Sequence, residues 1–323
     1  MQFSHFVSLL KESKPKFFRY WKFFSFLIPI LLLVVIARRN EISLQWVSMH
    51  WDFTQYMMLI VVLLLMPINW GLEAYKWYYL MRRFGLHISF LSSFKTTLTG
   101  LSYSLVLPGG IGEYLGRAEA IPKGEAWKGA GVLSVARIAQ LYATLLFGGI
   151  SLSVYLWDRA YYTWFIVFVS FVVLCWSVFI FSKFLAHGLE LKLGQQYTFV
   201  SDLLDPWLRK GSDKLWVFLV STLRYVVFSF QFYLVLLVFG VKGSVSQLFS
   251  GIASAFLFKS FFPSFLDLGP RELAVTLFFK DMGVTMAQVL EASLCVWMIN
   301  VMLPGIAGAL LLFRNAILNR KKW

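Results

Sequence analysis

Four uninterrupted apolar stretches, at about 130–156, 162–184, 215–239 and 289–313, each reach or exceed the roughly 20 residues that carry an α-helix across ~30 Å of hydrocarbon. With 59% of its 323 residues hydrophobic and only 14% charged, the chain is too apolar for the surface of a soluble domain of this length. Lipid is therefore its solvent. Every backbone N–H and C=O inside a bilayer must bond within the protein, so stretches of this length and pattern read as helices. Two further runs, about 21–37 and 54–80, complete a set of six straightforward spans. The expectation is an all-α, polytopic helical membrane protein, with 1–323 as a single transmembrane domain.

The net charge of +14 would suit nucleic acid, but the Lys and Arg residues stand in short clusters between apolar spans. That placement follows the positive-inside rule and excludes nucleic acid as a partner. Lys11, Lys14, Lys16, Arg19 and Lys22 precede the first apolar run, as in a secretory signal. No small-x-small cleavage site follows before Arg38 and Arg39, so the run reads as a retained helix with a cytoplasmic N-terminus. Counting basic loop residues puts both termini in the cytoplasm and the protein in the cell (plasma or inner) membrane. Cys175 and Cys295 lie inside spans with no CxxC pair, and His5, His50, His87 and His187 have no ligand spacing. No metal, cofactor or disulfide is expected.

Two further segments are apolar but interrupted. The first, about 88–127, breaks at Pro108-Gly109-Gly110 and continues through Gly112 as IGEYLGRAEAI. The second, about 245–285, breaks at Pro263 and Gly269 and continues as PRELAVTLFF. Counting them as full spans gives eight crossings; counting them as re-entrant gives six, with the same orientation of the termini. The order of elements then repeats, with pseudo-repeats at about 17–156 and 162–314. An odd number of crossings in the first half would insert the second upside down. Paired interruptions of this kind point to a transport site, because a broken helix exposes backbone donors, acceptors and helix-end dipoles near the midplane.

An ionised side chain at the bilayer centre costs at least ~2.5–3.5 kcal/mol, so each charge within an apolar segment needs a partner or a watery cavity. Glu113 and Arg117 stand four apart and share a helix face. Asp267, Arg271 and Glu272 form the corresponding cluster in the second half; Arg271 follows Gly269-Pro270, where a helix N-terminus and a guanidinium suit a phosphate. Arg137 and Arg224 lie too deep in their spans to snorkel, and Glu113, Glu272 and Glu291 are candidate partners for Arg137. Substrate contact is assigned to Glu113, Arg117, Arg137, Asp267, Arg271 and Glu272. Glu73 and Lys76, beside Trp70, Trp77 and Tyr78, read instead as a snorkelling pair in an interfacial aromatic belt.

The motif PGGIGEYLGRA at 108–118, the span around Arg137 and the stretch GPRELAVTLFFKDMGVTMAQVLEASL at 269–294 resemble the lysylphosphatidylglycerol synthase transmembrane region, the flippase-like domain of the multiple peptide resistance factor. The resemblance covers nearly the whole chain. It departs at PSFLDLGPRE, where the family more usually has a Pro-Gly-Gly run, and at Trp297-Met298, where members often carry an arginine. It implies a two-repeat helical membrane domain that handles aminoacylated phospholipids or polyprenyl-linked lipids. The chain stops soon after its last span, so the soluble aminoacyl-transferase domain, and its activity, are not expected. The leading expectation is a lipid flippase that meets the headgroup phosphate at Arg271 or Arg137. Its alternatives are an integral-membrane glycosyltransferase using Glu41 or Asp52 as base, and a non-catalytic partner of an envelope-biosynthesis enzyme. No Walker A pattern is present, which argues against direct ATP hydrolysis.

Overall fold

A computed structural model of the protein describes residues 51–105, 107, 111–118, 120–122, 124–194, 197–208, 211–262 and 270–320. The expected first span at 21–37, together with Pro108, Gly109, Gly110, Pro263, Asp267, Gly269 and Glu41, lies outside these residues. The described residues are helical and contain no strand. In chain order the helices are α1 (Phe53–Arg83), α2 (Phe90–Ser104), α3 (Ile111–Ala118), α4 (Ala126–Asp158), α5 (Tyr162–Ile180), α6 (Ser182–Leu189), α7 (Thr198–Leu208), α8 (Gly211–Val238), α9 (Val245–Ser260), α10 (Pro270–Phe279), α11 (Met286–Trp297) and α12 (Leu303–Arg320). A π-turn over Met298–Met302 joins α11 to α12. Among the described residues five helical segments are long and apolar enough to cross a bilayer: α1, α4, α5, α8 and the continuous run Met286–Arg314. They coincide with five of the six expected spans, and the protein is a membrane protein. α5 buries none of its residues: Phe168, Val172, Trp176 and Phe179 pack against the Tyr142 and Leu145 face of α4, and the rest of its apolar surface faces outward, where lipid is the favourable neighbour.

Both interrupted segments are helical hairpins. A Cβ at Gly112 would collide with the backbone of Tyr103 and Ser104, and one at Gly116 with that of Thr99 and Gly100. Later residues of α3 thus meet earlier residues of α2, so the chain doubles back. At 1.5 Å per residue, α2 reaches about 22 Å and α3 about 12 Å, both short of a bilayer. The segment enters and returns. In the second half, Gly251 of α9 faces the rings and methyls of Phe279 and Met282, which gives α9 and α10 the same antiparallel course. Buried hydroxyls in α2 are satisfied locally, Thr97 donating to the Ser93 carbonyl (2.8 Å) and Ser93 to that of Ala74 (2.6 Å).

The sequence carries a repeat signal at the entrance to each hairpin. Phe84-Gly85-Leu86 ends α1 and Phe239-Gly240-Val241 ends α8, with Gly85 at φ +76° and Gly240 at φ +74°. Glycine adopts that left-handed geometry without a Cβ penalty, and the following N–H closes the helix end, Leu86 onto Met81 (2.8 Å) and Val241 onto Leu236 (2.9 Å). Ser89 and Ser244 then cap α2 and α9 in the same way. The helix contacts are also paired. α1 packs on α8; the first hairpin's α2 packs on α12, and the second hairpin's α9 packs on α4. Each half thus embraces the hairpin of the other. In α4, Gly148 makes room for Leu257 and the Ala253 carbonyl; in α12, Gly308 makes room for the backbone of Leu98 and Thr99.

Candidate functional site

The C-terminal half of α1 places Asn69, Trp70, Glu73, Lys76 and Trp77 at three- and four-residue spacings, which puts them on one helix face. α4 does the same with Arg137, Gln140 and Thr144, and α8 contributes Arg224 and Tyr225. The return helix α3, pressed against α2 through its glycines, points Glu113 and Arg117 at the same place. Glu73 is the centre. Its carboxylate lies 2.8 Å from Lys76 Nζ, 2.9 Å from Arg117 Nη2 and 3.3 Å from Arg224 Nη1. Glu73 is 4% exposed, Lys76 1% and Arg117 1%. Glu113 pairs with Arg137 and lies 3.8 Å from Arg117. Gln140 Oε1 accepts from Lys76 (3.0 Å) and Arg224 (3.2 Å). The Trp77 ring faces the Arg117 guanidinium at 5.4 Å and the Trp70 ring faces that of Arg224 at 5.2 Å, replacing water on their flat sides.

A cavity of about 420 Å³ opens beside this cluster, lined among others by Glu113, Arg137, Gln140 and Arg224. Ser104 and Leu105 at the end of α2 line it too, as do Lys259 and Ser260 at the end of α9. The C-terminal ends of α2 and α9 therefore meet at one chamber between the halves. The Arg137 side chain is 45% exposed despite its carboxylate partner, because its outer side looks into the chamber.

The remaining wall is neutral. Pro304 has no N–H to give the carbonyl one turn back at Asn300, and that oxygen instead accepts from Trp70 Nε1 at 2.9 Å. The π-turn at this point aims the Asn300 side chain at Asn69, which donates to it at 2.9 Å. This amide pair is the counterpart of the charged one. Arg224 lies as far beyond Asn69 in sequence as Ser244 lies beyond Ser89, and Asn300 as far beyond Gln140 as Met286 beyond Ala126.

The structure brings Glu113, Arg117 and Arg137 together, with Glu113 as the carboxylate of Arg137. Arg271 and Glu272 pair with each other instead, with Arg271 4% exposed and 6.0 Å from the Trp297 ring, and neither lines the chamber. The interfacial reading of Glu73 and Lys76 is overturned, since burial removes the water a snorkelling pair would need. Arg224 is inward and joined to Glu73. Asp52, a candidate base, caps α1: its carboxylate accepts from Gln55 N at 2.7 Å while Gln55 Oε1 accepts from Asp52 N at 2.9 Å. Sequence reasoning passed over Gln140, Asn69 and Asn300, although the paired Phe-Gly-x-x-x-Ser signals would have aligned Asn69 with Arg224. Among the described residues no three His, Cys, Asp or Glu side chains are grouped to hold a metal ion.

A family model described as the lysylphosphatidylglycerol synthase TM region matches residues 22–308, which takes in every element of the site. The chain belongs to that family. No curated protein and no solved structure matches it. Membership ties this lysylphosphatidylglycerol synthase TM region to a membrane-lipid-related function. The chamber wall offers guanidinium groups, amides and apolar side chains.

Proposed function

We propose that the protein is a lipid translocator of the cell membrane, with both termini cytoplasmic, that takes the phosphate-bearing headgroup of a phospholipid or polyprenyl-linked lipid into the chamber between its two hairpins. One observation carries the reading: Arg137 and Arg224 converge on a cavity reached by the C-terminal ends of α2 and α9, deep in helices that cross the bilayer. Guanidinium groups bind phosphate through paired N–H donors, and in a low-dielectric site that contact is far stronger than in water. Inversion of one half relative to the other would let the same site face either leaflet as the hairpins rock. In this reading Arg137 and Arg224 contact the headgroup, Glu113 holds Arg137 until the phosphate replaces it, and Arg117 and Glu73 keep the cluster together. Asp267, Arg271 and Glu272 are assigned to a separate approach point outside the chamber, as the helix start at Pro270 suits an incoming anion.

The test is translocation of fluorescent phosphatidylglycerol and polyprenyl phosphate in proteoliposomes, comparing wild type with Arg137→Ala and Arg224→Ala. Movement by wild type, and its loss in both variants while gel filtration shows an intact fold, is the expected result. Absence of movement by folded wild type for every probe, or unaltered movement in both variants, would refute the proposal.

A further inference from the structure

The charges around the chamber do not balance. Among the described residues Lys76, Arg117, Arg137 and Arg224 face the carboxylates of Glu73 and Glu113, so four cations meet two anions. A surplus of two positive charges beside a partly enclosed chamber within the bilayer is costly, because no further carboxylate among the described residues offsets it. Proteins retain such an arrangement where a ligand supplies the missing charge. The surplus is also placed at the chamber: Lys76 and Arg117 lie against Glu73 behind the wall, while Arg137 and Arg224 line it. The neighbouring elements deepen the asymmetry. Asn69 and Asn300, at the repeat positions of Arg224 and Gln140, bring no charge to the chamber wall.

From this we infer that the chamber is built for a headgroup with two negative charges, a phosphomonoester or diphosphate at the end of a lipid, in preference to a singly charged phosphodiester. The inference rests on the chamber being the headgroup site. A phosphodiester leaves one cation unmatched. A phosphomonoester above its second pKa of about 6, or a diphosphate, matches both. Its terminal oxygens are unesterified, so two guanidinium groups can each hold a different pair of them.

The charge difference gives the test. Binding of phosphatidic acid, a polyprenyl phosphate and phosphatidylglycerol to the detergent-solubilised full chain is measured by native mass spectrometry at pH 8 and pH 5.5. At pH 8 the two monoesters are expected to bind on the order of tenfold tighter than phosphatidylglycerol, one charge at close range in a low-dielectric site being enough for that ratio. Their advantage should shrink at pH 5.5, where the second proton returns. Phosphatidylglycerol, whose single charge does not titrate in this range, reports the protein's own pH response. Arg224→Gln should erase the preference, and Arg224→Lys should keep it. Equal binding of monoester and diester at both pH values would overturn the charge inference while leaving the lipid reading intact. Failure of all three lipids to bind would overturn both. Complete displacement of bound lipid by equimolar inorganic pyrophosphate would assign the chamber to a soluble anion and overturn the lipid class.

Discussion

Replacing Glu73 with Gln keeps the volume of the side chain and removes its charge. Within the cluster, Glu113 would then be the single carboxylate facing Lys76, Arg117, Arg137 and Arg224. Breaking a buried ion pair by removing one partner costs about 3–5 kcal/mol, and the amide oxygen can still accept from one cation, so about 3 kcal/mol is the expected loss. At ~2–4 °C per kcal/mol for a domain of this size, thermal unfolding followed by gel filtration in detergent should fall by about 6–12 °C. The same structure specifies a rescue. Lys76→Met removes one of the stranded cations and fills its space with apolar atoms, so the Glu73→Gln, Lys76→Met double variant should recover at least half of the drop. An exposed pair is worth about 0–1 kcal/mol. A shift of Glu73→Gln below about 2 °C, with no coupling to Lys76→Met, would show that water reaches the carboxylate and would refute its place at the centre of the cluster.

Two further perturbations separate packing from chemistry. Gly116→Val puts a branched side chain into the backbone of Thr99 and Gly100, and overpacking of about 1–3 kcal/mol or more should lower the thermal midpoint and open the first hairpin to cysteine labelling at Ser104→Cys; an unlabelled, fully stable variant would contradict the close approach of α2 and α3. Asp52→Ser should preserve both stability and lipid movement, because serine caps as well as aspartate, whereas Asp52→Ala should cost about 1 kcal/mol; loss of activity in a stable Asp52→Ser variant would give the carboxylate a chemical role beyond its cap.

Element type was legible from sequence because it depends on local quantities. The length of an apolar run sets whether a helix can cross a bilayer, and proline and glycine clusters mark interruptions, so the spans and the two interrupted segments could be read directly. For Arg137 the sequence offers Glu113, Glu272 and Glu291 as candidate partners, and packing selects Glu113. Glu73 and Lys76 could not be read this way. Their aromatic neighbours fit a membrane interface equally well, and only the packing of α1 against α2, α4 and α8, with Arg117 of α3 reaching in, decides that they are buried. Asn69 and Asn300 are far apart in the chain and chemically unremarkable until Pro304, the π-turn and Trp70 bring them together. Hydropathy and helix-breaking residues thus determined a polytopic helical protein with two interrupted segments. Tertiary structure alone decided that these segments double back, that each is held by the other half, and that four cations share two carboxylates beside a chamber, since charge balance in lipid belongs to a packed neighbourhood and not to a stretch of sequence.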